Sequence, residues 1–130
     1  MIDRTMANAL GQRIRRARKA KHLSQREFAE RVAARLKEQD RRGFDFSYLS
    51  KIENGKLVPS AATLVAIAEE LEENADELLA LAEKAPPDLG KKLVDSPKAR
   101  LFYRSALEMN LSEDDWEKLL QQLKSKGRKA

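Results

Sequence analysis

The chain has 130 residues, 36% of them charged and 5% aromatic, with no cysteine and a formal net charge of +5. That length suits one compact domain with a small appendage, and the lack of cysteine excludes a disulfide scaffold or cysteine zinc site and suits a reducing cytoplasm. Residues 1–60 hold 15 Lys/Arg against 7 Asp/Glu and residues 61–130 hold 11 against 14, so a basic half, fit to face a polyanion, precedes an acidic one.

Helical periodicity runs nearly throughout. Leu10, Ile14 and Ala17 recur at three- to four-residue spacing and predict helix one over about 6–20, closed by Leu23. Ser24 with Glu27 three residues later is a capping box opening helix two, whose apolar face is Phe28, Ala29, Val32, Ala33 and Leu36. The run KEQDRRG breaks that pattern, so helix two is expected to end near Lys37. Asp45 caps helix three, which turns Tyr48, Leu49 and Ile52 inward and stops at Gly55, a residue suited to the positive φ of a helix end. Ser60 caps helix four, with Leu64, Ile67, Ala68 and Leu71 inward; helix five, about 75–84, carries Leu78, Leu79 and Leu81.

The paired prolines of APPDLG mark the clearest boundary, dividing a domain at 1–85 from a helical region at 86–126. A short helix is expected near 88–94. A longer one begins at Ser96-Pro97 and carries Leu101, Phe102 and Leu107. A last helix opens at Ser112, with Glu113, Asp114 and Asp115 placed for the helix dipole, and carries Trp116, Leu119, Leu120 and Leu123. The lysine-rich end is expected to fray, leaving 127–130 as a flexible tail. The acidic run Glu69 to Glu73 reads as the solvated side of helix four.

Five helices in about 75 residues, with a helix-turn-helix in the middle, form a DNA-reading arrangement. The stretch LGQRIRRARKAKHLSQREFAERV at 10–32 and the stretch SYLSKIENGKLVPSAATLVAIAEEL at 47–71 resemble the two halves of the XRE-type domain, the family of the phage Cro and lambda repressor proteins. The resemblance covers residues 10 to about 82. It implies an all-α, five-helix lambda-repressor-like domain that binds DNA. One departure is plain: the connection between helices two and three is about ten residues longer than the family's tight turn, which leaves the tilt of helix three open.

By that resemblance, Phe46, Ser47, Ser50 and Lys51 on the outer face of helix three reach base edges. Serine hydroxyls can donate or accept, lysine can reach guanine, and an aromatic ring can pack on a thymine methyl. Phe46 could equally shield the turn, and Lys51 could equally touch a phosphate. Gln25, in the first turn of helix two, is the family's phosphate-contacting glutamine, or else caps its own helix. Asn54 and Lys56, with the backbone amides of their loop, suit phosphate contact. Arg41 and Arg42 either join them or remain solvent charges. The resemblance also pairs Glu53 with Arg18, which cancels a carboxylate otherwise repelled by DNA.

Nothing points to catalysis. His22 is the one histidine, no Ser/His/Asp set assembles, and no metal or cofactor is expected. No apolar run is long enough to span a membrane, and the start lacks the apolar core of a signal peptide, so a cytoplasmic place is expected. The helices of 86–126 carry too little apolar surface for a core of their own. They must bury Phe102, Leu107, Trp116, Leu120 and Leu123 on the first domain, on a second copy or on a ligand; a homodimer is favoured. The expectation is therefore a sequence-specific DNA-binding regulator, a dimeric repressor on an inverted repeat. The alternative is a protein-interaction module with the same core, an antitoxin that neutralises a toxin or a bridging coactivator. Some relatives with short helical C-terminal dimer domains are inactivated when a partner metallopeptidase clips that domain, so a regulatory protease stands beside the toxin as an alternative partner that residues 86–126 do not themselves imply.

Overall fold

The structure, a computed structural model, describes residues 4–38 and 43–128. The described residues form α-helices and no strand: α1 Arg4–Ala20, α2 Gln25–Glu38, α3 Phe46–Glu53, α4 Ala61–Leu71, α5 Ala75–Leu81, α6 Pro87–Asp95, α7 Pro97–Glu108 and α8 Glu113–Arg128. None is long and apolar enough to cross a membrane. The chain divides into two compact units, residues 1–89 and 90–130, with α6 spanning the division.

The helix starts follow from side-chain chemistry, because the first-turn N–H groups of any helix lack intrahelical acceptors. Ser24 Oγ accepts from the Glu27 N–H at 3.1 Å, while the Ser24 N–H donates back to Glu27 Oε1 at 3.2 Å. The bond donated by the Ser24 N–H, with the Ser24 hydroxyl adding to it, holds the Glu27 carboxyl below its ordinary pKa. The contribution of that carboxylate to stability is therefore full above the usual glutamate pKa and lost as pH falls through the depressed one. Asp45, Ser60, Asn74 and Ser96 cap α3, α4, α5 and α7 in the same manner. At α8 a second reciprocal box forms, Ser112 Oγ accepting from the Asp115 N–H at 3.1 Å and Asp115 Oδ2 from the Ser112 N–H at 3.0 Å.

In the first unit α1 packs on α3 and α5, α2 on α3 and α4, and α4 on α5. Leu10, Ile14, Phe28, Leu49, Ile67 and Leu78 are wholly buried between them. Among the described residues, no buried side-chain nitrogen or oxygen lacks a hydrogen-bond partner.

Several expectations need correction. Helix α1 begins at Arg4, earlier than its apolar spacing suggested. Helix α5 is shorter than 75–84: it ends at Leu81, and Glu83 just beyond takes a left-handed φ of 56°. The lysine-rich end is helical within the described residues, with α8 running to Arg128. Its acidic first turn and basic tail both favour the helix dipole.

The run Glu69 to Glu73 keeps Glu69 and Glu72 exposed, as expected of a solvated side, but its carboxylates are also paired. Arg35 Nε binds Glu70 Oε1 at 2.7 Å and Arg35 Nη1 binds Glu69 Oε2 at 2.9 Å. Lys21 meets Glu72 at 2.9 Å, and Arg13 Nε meets Glu73 at 3.1 Å. These carboxylates tie α4 and its end to α1 and α2, and they consume part of the positive charge of the basic half.

Candidate nucleic-acid interface

Helix α3 is short and is fixed at both ends. At its start Asp45 Oδ1 accepts from the Tyr48 N–H at 2.9 Å. Just before the cap, Phe44 is buried, its ring centroid 5.2 Å from that of Tyr48. Leu49 and Ile52 then lock the inner face into the core. At its end the Gly55 N–H donates to Ile52 O at 3.0 Å and the Lys56 N–H to Lys51 O at 2.9 Å. This is the paired bonding of a Schellman motif, and Gly55 supplies its left-handed residue with φ 73°. A Cβ at Gly55 would also strike the side-chain amide of Asn8 on α1.

The Schellman motif corrects one expectation. The amides of Asn54, Gly55 and Lys56 all donate to carbonyls of α3, so they are not free for a phosphate. The side chains of Asn54 and Lys56 are exposed.

With its inner face committed, α3 presents Phe46, Ser47 and Lys51 to solvent, and Ser50 is half-buried. The Ser50 hydroxyl accepts from Asn54 Nδ2 at 3.4 Å, which leaves it a proton to donate elsewhere.

The acidic residue of α3 is turned away from that face. The Glu53 side chain is 1% exposed and that of Arg18 is 8% exposed. Arg18 Nε donates to Glu53 Oε2 at 2.7 Å, Arg18 Nη2 to Glu53 Oε1 at 3.0 Å, and Arg18 Nη1 to Leu23 O at 2.8 Å. The fork is bidentate, the geometry in which guanidinium and carboxylate bind best. Gln25 Nε2 adds a donor to Glu53 Oε1 at 3.0 Å. One carboxylate thus joins α1, the start of α2 and α3, and carries no free charge toward the outer face.

The bond to Glu53 gives Gln25 a role outside both alternatives read from the sequence. Its second amide hydrogen and its carbonyl oxygen remain for another partner, as does its backbone N–H in the first turn of α2.

Arg26 follows Gln25 and was not singled out from sequence. Its guanidinium carbon lies 4.2 Å from the centroid of the Phe46 ring, a cation–π contact between the starts of α2 and α3. Arg26, Lys51 and Lys56 have no carboxylate partner among the described residues. The available signal was an arginine in the first turn of one helix and an aromatic at the first position of the next. Arg41 and Arg42 lie outside the described residues.

In the second unit, Phe102 is 59% exposed, Leu107 58%, Trp116 42%, Leu120 43% and Leu123 66%, so the single chain leaves this surface uncovered. Ala106 is buried, and Leu119 is half-buried beside Phe102, Ala106 and Met109 in a groove between α7 and α8.

A family model described as a helix-turn-helix domain matches residues 11–84, which hold most of α1 and all of α2 to α5. No curated protein and no solved structure matches the chain.

Proposed function

The chain belongs to the helix-turn-helix domain family, and from that membership we propose that it is an XRE-type, sequence-specific DNA-binding regulator acting as a dimeric repressor on an inverted repeat. The observation that carries this reading is the outer face of α3. It exposes Phe46, Ser47 and Lys51 while its carboxylate is buried and neutralised by Arg18. A short helix with that face fits the major groove, which admits one α-helix.

In this reading Lys51 reaches guanine O6 or N7, and Ser47 and Ser50 read donor and acceptor groups beside it. The first turn of α2 lies over the backbone, with the N–H groups of Gln25 and Arg26 and the Arg26 guanidinium directed at phosphate. Phe46 serves as the platform that holds Arg26. Lys56 and Asn54 grip the backbone beyond the other end of α3.

Selection of bound sequences from a random DNA pool tests the reading, with an enriched palindrome as the expected result. Recovery of no preferred sequence favours the protein-interaction alternative, an antitoxin or bridging module, to which the uncovered apolar face of the second unit is also suited. On the selected site, Lys51→Ala and Ser47→Ala are expected to change the preferred bases. Lys56→Ala and Arg26→Ala should weaken all sequences alike and reduce the salt slope by about one unit each. Equal loss of specific and random DNA binding in Lys51→Ala would reassign that lysine to phosphate.

The dimer is assigned to residues 86–126. A single module reads few base pairs, whereas a twofold dimer sets two copies of α3 about 34 Å apart, one turn of DNA. Truncation after Ala85 should leave a folded monomer that binds the operator far more weakly, since linkage of half-sites supplies most of the affinity. Sedimentation of the truncated and full-length chains checks this, and a dimeric 1–85 fragment would move the interface to the first unit.

A further inference from the structure

Helix α8 segregates its charge along its length. Glu113, Asp114, Asp115 and Glu117 fall in its first five residues, and after Glu117 its charges are Lys118, Lys124, Lys126 and Arg128. Along the same helix lie exposed Trp116, Leu120 and Leu123. At 3.6 residues per turn these three fall within about 60° of one another, a single stripe. Glu117 and Lys124 border the same edge of it. The ion pair of Lys118 with Asp114, 3.3 Å, sits on the opposite side of the helix.

The helix dipole favours acids in the first turn and bases in the last. It accounts for Glu113 to Asp115 and for Lys126 and Arg128, but it reaches only one turn, leaves Glu117 and Lys124 unexplained and says nothing of an apolar stripe open to solvent. A second copy of the helix accounts for both. We propose that two chains dock through α8 in antiparallel register, the acidic first half of each helix beside the basic second half of the other. The proposal rests on the dimer reading above and adds its orientation.

In an antiparallel pair the same edges meet across the seam. With the twofold axis between residues 120 and 121, Glu117 lies opposite Lys124 of the partner subunit, and the symmetry makes that pair twice. The apolar stripes meet about the axis. A parallel pair would set the carboxylates of one first half against those of the other, and the lysines likewise, which is destabilising.

The absence of cysteine makes the test direct. Leu120→Cys, next to the axis, should oxidise to a covalent dimer. Trp116→Cys should not, because two copies of residue 116 would be about 13 Å apart along the pair at 1.5 Å per residue, beyond the roughly 7 Å Cα separation that a disulfide tolerates.

Charge reversal gives a readout that does not need the disulfide. Glu117→Lys should weaken dimerisation at low salt by about tenfold, as should Lys124→Glu. Both changes in one chain should restore it. If the two charges did not meet across the seam, the double variant would dimerise no better than either single one. Self-crosslinking at residue 116, or strengthening by Glu117→Lys alone, would overturn the antiparallel arrangement while leaving the dimer intact. A full-length chain that sediments as a monomer would overturn the dimer reading and this proposal together.

Discussion

Gly11→Ala is expected to destabilise the first unit by about 3 kcal/mol, the upper end of the usual range for overpacking. On helix propensity alone the change should stabilise, by up to about 1 kcal/mol. The site reverses the sign. A Cβ at Gly11 would overlap the carbonyl oxygen of Ile52 and come within 2.6 Å of that of Glu53. Both obstacles are backbone, and both belong to the last turn of α3, so no side chain can swing aside. Relief requires α1 to withdraw from α3, which also disturbs the seat of Arg18 and the loop through Lys56. Denaturant midpoints measure the loss. Gly90→Ala, where a Cβ meets nothing within 4 Å, is the control and should be neutral or slightly stabilising. Equal behaviour of the two variants would show that the close approach of α1 to α3 is not as described.

Glu53→Ala is expected to cost about 3–5 kcal/mol, because it leaves the buried Arg18 guanidinium without its carboxylate. The Arg18 side chain is only 8% exposed, so water cannot readily replace what is lost. Gln25 loses its acceptor in the same step. Arg18→Met should cost a similar amount by stranding Glu53, and the double variant should cost much less than the sum of the two. The coupling in that cycle is the test. Additive losses, or a Glu53→Ala cost under about 1 kcal/mol, would mean that the pair behaves as an exposed one. DNA affinity should fall further than stability does, since the same network fixes the start of α2 relative to α3.

The local parts of this structure were legible in the sequence. Ser24, Asp45, Ser60, Ser96 and Ser112 each announce a helix start, because the capping bond spans three residues and its partners are read from neighbours. The inner faces of α2 and α4 follow from apolar spacing for the same reason. What was missed depends on residues that only the fold brings together. Gly11 carries no signal in its local pattern, and its need for a bare Cα shows only once α3 lies against it. Glu69 to Glu73 looked solvated because their cations, from Arg13 to Arg35, lie on other helices. Arg26 and Phe46 meet only because the starts of α2 and α3 adjoin. Arg18 with Glu53 was anticipated through resemblance to a family, not through spacing; the third participant, Gln25, was assigned elsewhere.

Phe44 bears on how such a domain can vary. The long connection left the tilt of α3 open, yet that helix is held from its own first residues: a buried ring just ahead of the cap, the cap itself, and Leu49 behind it. The connection therefore need only deliver Phe44 to its pocket, and its length is decoupled from the angle of α3. Doubling a flexible connection costs only about 0.6 kcal/mol in closure entropy, small beside the several kcal/mol by which a domain is stable. A lineage can lengthen or shorten this segment while the two helices it joins keep their mutual pose, so the spacer can drift, or acquire contacts of its own, without redesign of what it connects.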